Sequence, residues 1–140
     1  MTEPSLAIQA AIRARLIADP DVTALVPADR IFDGRWRTER MPCIIIGEGN
    51  VLYSDEYESF HEETYLDVHV WTEGEDFTAA KQIADAIRRA IKSAPWVAAG
   101  FIVHGITVTK ARFLRGKDTD GALANTHAVI SVDAVLQEAS

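Results

Sequence analysis

Apolar residues recur along this chain with two different periods. Near the N-terminus the spacing is close to four: Ile8, Ile12 and Leu16 form one stripe, which Leu6 and Ile17 widen. That is the pattern of a helix with one face on a core, and it predicts a helix over Pro4 to Ala18. Pro4 suits a first-turn position, with Thr2 or Ser5 as cap. Arg13 and Arg15 sit towards the C-terminal end, where the helix dipole favours cations. "ADPDV" stops this helix at Pro20, and "VTALVPADRIFDG" reads as two short apolar segments divided by a turn at Pro27 and broken at Gly34. The same period returns over Asp76 to Ser93, where Ala80, Ile83, Ala84, Ile87, Ala90 and Ile91 share a face. Glu73, Glu75 and Asp76 crowd the start of that helix and Arg88, Arg89 and Lys92 its end, so charge matches the dipole at both ends.

Elsewhere the period is two. Met41 to Gly49 holds a run of isoleucines after Pro42 and predicts a buried strand, and Asn50 to His61 reads as a strand edge and a loop. Over Glu63 to Thr72, Leu66, Val68 and Val70 point one way, while Tyr65, Asp67, His69 and Trp71 point the other. The first set predicts a core face and the second a face open to solvent or a partner. Two long strands close the chain. Val103 to Arg115 carries Ile106 and Val108 on one face, and Leu123 to Leu136 carries Ala128, Ile130, Val132, Ala134 and Leu136. Between them "GKDTDG", from Gly116 to Gly121, has the composition of a hairpin tip. Together these elements predict one α+β domain over residues 1–140. Two helices pack on one face of a mainly antiparallel, four- to five-stranded sheet with a long C-terminal β-hairpin.

Composition narrows the function more than it names it. The chain has 140 residues and a formal net charge of −7, which disfavours a protein whose task is to grip nucleic acid. No apolar run is long enough to span a bilayer. "MTEPSLAIQA" lacks the basic and apolar regions of a signal peptide, so residence in the cytoplasm is expected. The single cysteine, Cys43, can build neither an internal disulfide nor a cysteine metal site.

Several motifs invite a catalytic reading and do not sustain it. Gly47 and Gly49 open a G-x-G after a strand, but a dinucleotide fingerprint needs a third glycine where Leu52 stands, and a helix after it. Bulge or strand-end glycines are the simpler reading. His61 with Glu62 and Glu63, or Asp67 with His69, could donate to a metal, yet no helical ligand pair supports this, and no metal or cofactor is expected. Cys43 begins a run of isoleucines and reads as a small hydrophobe rather than a nucleophile. The acidic stretch "SDEYESFHEE" does not match a calcium loop and reads as a solvated loop. "RWRTER", by contrast, interleaves Arg35 and Arg37 with Trp36, which could stack and pair with nucleic acid, but in an acidic chain these residue types, enriched where proteins meet, favour a protein partner. The candidate contact residues are therefore Arg35, Trp36, Arg37, Tyr65, His69, Trp71, Lys117 and Asp118. No catalytic constellation stands out, and the chain is expected not to be an enzyme.

The order of "ADPDVTALVPADRIFDG", "MPCIIIGEG", "YLDVHVWT" and "FTAAKQIADAIRRAI" after an N-terminal helix resembles tail terminator, or tail completion, proteins of long-tailed phages and phage-like gene transfer agents. The resemblance runs from about Leu6 to Leu136. It implies an α+β fold, no catalysis and no cofactor. It also implies a ring of copies, usually six, on the head-proximal end of a tail tube. The ring would stop tube growth and offer a surface to the head–tail connector, with DNA passing through without specific binding. Assembly in the bacterial cytoplasm and residence in the particle follow from the same resemblance. Another connector or tail-tube component of such a particle, and a small non-catalytic adaptor, are the alternatives.

Overall fold

The computed structural model describes residues 3–33, 41–53, 61–74, 76–116 and 125–139. Its elements run α1 (Pro4–Ala18), α2 (Pro20–Leu25), a 3-10 turn (Ala28–Arg30), β1 (Ile31–Asp33), β2 (Cys43–Tyr53), β3 (His61–Glu73), α3 (Thr78–Lys92), β4 (Phe101–Gly116) and β5 (Asn125–Glu138). The strands form one sheet in the order β1-β2-β3-β5-β4. Only the β1–β2 pairing is parallel. The α+β architecture expected from the sequence is the one observed, with the helices on one face and the β4–β5 hairpin completing the sheet.

The core lies between sheet and helices. Ile8, Ile12 and Leu16 of α1 and Ile83, Ile87 and Ile91 of α3 pack on Ile44, Ile46, Val68, Val70, Ile130 and Leu136. These residues are almost wholly removed from water, and such burial is the main favourable term in folding. Leu6 departs from the expected stripe. It is 56 % exposed, because α1 turns Ala7 and Pro4 inward in its first turns.

The cap of α1 also differs from expectation. Glu3, not Thr2 or Ser5, is the N-cap, and its carboxylate accepts from the Leu6 amide at 3.1 Å. The segment after Pro20 is a helix rather than a loose apolar stretch. Asp19 accepts from the amides of Asp21 and Val22 at 2.9 and 3.2 Å, which starts α2.

Arg15 does more than sit at the end of its own helix. Its Nη1 donates to the carbonyls of Ala90, Ile91 and Ala94 at 3.1 to 3.2 Å, and its Nη2 to Pro95 at 2.8 Å. The guanidinium also stacks 3.7 Å from the Trp96 ring centre, and Trp96 Nε1 donates to Ile91 at 3.0 Å. The C-terminal carbonyls of α3, where the helix dipole is negative, are thus capped by a cation from α1. Trp96 covers this helix end. Among the described residues no helix is long and apolar enough to cross a membrane.

Candidate functional site

The sheet face turned away from the helices is the surface on which the polar chemistry collects. Strand register sets it out in rows. One row runs Leu52, Glu63, Val135, Gly105. The next runs Asn50, Tyr65, Asp133, Thr107. Further along come Ile45, His69, Val129, Arg112 and then Cys43, Trp71, His127, Leu114. These are the residues that alternation left off the core face, so the expectation that Tyr65, Asp67, His69 and Trp71 share a second face holds.

Between those rows β2 carries a bulge. Ile46 pairs with Val68 and Gly49 with Leu66, so Gly47 and Glu48 together stand against Asp67. The extra residue shifts the alternation by one and brings Glu48 onto the open face, where regular pairing would send it towards the core. Both glycines are required by space. A Cβ on Gly49 would lie 1.9 Å from the Tyr65 carbonyl oxygen, and one on Gly47 would lie 2.8 Å from the His69 ring. The G-x-G that mimics a nucleotide fingerprint is therefore a bulge that makes room for a histidine.

Around that bulge lies a hydrogen-bonded chain. Glu48 meets His69 Nε2 at 3.0 Å, and His69 Nδ1 meets His127 Nε2 at 2.8 Å. One set of neutral tautomers satisfies both contacts: His69 Nε2–H donates to Glu48, and His127 Nε2–H donates to His69 Nδ1. Trp71 stacks on His127 with ring centres 3.9 Å apart and planes 7° from parallel. His69 is only 4 % exposed, on a face expected to meet solvent or a partner. Gly47 leaves its ring room to lie between Glu48 and His127. Burial pushes the His127 imidazole down to about 4, and the neighbouring His69 adds to the shift. Burial alone would raise the Glu48 carboxyl, but its hydrogen bonds and His69 outweigh that and hold it below the ordinary carboxylate value.

Geometry does not turn this chain into a catalytic set. Ser131 donates to Asp67 at 3.0 Å rather than to a histidine. Burial pushes the Cys43 thiol up to about 11, opposite to what a nucleophilic thiolate needs. The proposed metal donors do not converge. His61 lies at the far end of the sheet with its ring 4.9 Å from that of His104, and Glu62 is buried on the helix-covered face. Among the described residues no three His, Cys, Asp or Glu side chains surround a common point for a metal ion.

Of the contact residues chosen from sequence, Tyr65, His69 and Trp71 share the open face. Arg35, Trp36, Arg37, Lys117 and Asp118 lie outside the described residues. Sequence reasoning missed Glu48 and His127 as partners of His69. The only sequence signal for Glu48 was the pair of glycines around it.

Two solved structures are similar to this chain across nearly its whole length. One is from the virion of a native gene transfer agent particle, with TM-score 0.79, 21 % identity, and coverage of 94 % of this chain and 95 % of that one. The other is the gp17 protein of bacteriophage SPP1, with TM-score 0.59, 20 % identity, and coverage of 94 % and 89 %. At these identities they establish the fold. No curated protein sequence matches significantly. The family model described as tail completion protein gp17 matches residues 10–137, nearly every element from α1 to β5, and the chain therefore belongs to the gp17 family of tail completion proteins.

Proposed function

We propose that this protein is a structural, non-catalytic component without a cofactor, which closes the head-proximal end of a phage-like tail tube as a ring of copies. The observation that carries the reading is the family match over residues 10–137. The sheet supports it, since its two edges differ in residue content and so suit the head-to-tail contacts of a closed ring. In this role the ring stops tube growth and offers a surface to the connector. The tail tube protein and the head–tail connector are its partners. The net acidic chain suits a conduit that DNA must pass without being held.

The test is to add purified protein to isolated tail tubes growing from their subunits. Tubes that stop at fixed length, with one ring at one end by electron microscopy, are expected. Rings repeating along the tube would make it a tube component instead, and no association would refute the reading. Trp71→Ala should keep the far-UV circular dichroism of the wild type and weaken capping if the open face is a contact. Loss of the fold would assign Trp71 to the core.

A further inference from the structure

Charge is segregated across this sheet. β4, FIVHGITVTKARFLRG, carries Lys110, Arg112 and Arg115 and no Asp or Glu. At the other side β1, β2 and β3 carry Asp33, Glu48, Glu62, Glu63, Asp67 and Glu73 and no Lys or Arg. In a chain of net charge −7, a strand with only positive charge is a localised exception, and it lies at one edge of the sheet.

Both edges have backbone to offer. β1 pairs with β2 only over Ile44 to Ile46, so among the described residues no strand covers the outer side of Gly49 to Tyr53. That stretch carries no charge and no proline, the usual guards of an exposed edge, and its Leu52 and Tyr53 are 54 % and 60 % exposed. At the opposite edge, β4 has no outer strand among the described residues. The pairings make β2 antiparallel to β4 within one chain. Two copies set side by side in the same orientation therefore bring β4 of one against β1 and β2 of the next as an antiparallel pair.

We infer that the basic β4 edge of one copy docks on the acidic β1–β2 edge of a second copy, extending the sheet from subunit to subunit. In level register, Thr107 of β4 meets Asn50, and Lys110 meets the exposed Glu48 on the open face. Leu52 then lies level with Gly105, where the space a Cβ would occupy is open. Backbone hydrogen bonds give such strand addition its affinity, and the charges fix its partner and direction. This inference rests on the ring reading above and names the surfaces that would close the ring.

The experiment uses full-length protein and two variants, followed by light scattering and sedimentation over a range of concentrations. Lys110→Glu/Arg112→Glu makes both edges acidic, and Glu48→Lys/Asn50→Lys makes both basic. Each variant alone is expected to self-associate roughly tenfold or more weakly than wild type, since like charges then face each other. An equimolar mixture restores association, because each variant's altered edge now meets an opposite charge, and this recovery also shows that both variants fold. Wild-type self-association should weaken with salt. A variant that assembles like wild type, or a mixture no better than its components, overturns the edge assignment and leaves the ring reading standing. Variants that assemble normally but no longer cap tubes also overturn it, assigning the edge to another tail protein. Wild-type protein that stays monomeric both in solution and on tail tubes overturns the ring reading and this inference together.

Discussion

His127 makes stability depend on pH in a direction that can be worked out beforehand. Its imidazole falls from an ordinary 6.5 to about 4 in the folded chain, through burial first and the neighbouring His69 second. The unfolded chain therefore binds a proton at this site between pH 6.5 and 4 that the folded chain does not. Where the unfolded state binds more protons, stability rises with pH. The contribution is complete above pH 6.5 and is lost as pH falls towards 4. A shift of that size corresponds to about 3 kcal/mol. The ring is half-buried, so solvent screening brings the expectation to about 2 kcal/mol. Urea unfolding of wild type and His127→Phe at several pH values between 4 and 7 measures it. The phenyl ring keeps the stack on Trp71 and cannot titrate, and carboxylates elsewhere act alike in both proteins. The stability difference between them should change by about 2 kcal/mol across this range, with wild type losing more on acidification. A difference that stays constant with pH would refute the reasoning.

Three further outcomes follow from the packing. Val68→Asp places a carboxylate at a position with no exposure; it should cost about 4 kcal/mol or more and abolish the native circular dichroism. Gly49→Ala pushes a methyl into the Tyr65 carbonyl and should cost about 2 kcal/mol by urea unfolding, while Gly105→Ala, with open space around it, should be close to neutral. Arg15→Lys keeps the charge but loses the fork that reaches four carbonyls; a loss of about 2 kcal/mol is expected, and wild-type stability in that variant would rule the helix clamp out.

What the chain order of residues determined by itself was periodicity. Ile8, Ile12 and Leu16, the Ile83 to Ile91 face and the Leu66, Val68, Val70 alternation each place a core face using only local geometry, because side-chain direction repeats every 3.6 residues in a helix and every two in a strand. Membership of an α+β class follows from the order of those elements. The tertiary structure alone decided the rest. A bulge inserts one residue and reverses the alternation after it, so Glu48 reaches His69 only once β2 is paired with β3. His127 joins them from 58 residues away along the chain, a distance no local pattern spans. Arg15 finds its carbonyls at the end of another helix for the same reason. The segregation of charge between β4 and the β1–β3 side was written in the sequence, but it became two opposed edges only when strand order placed β5 between β3 and β4.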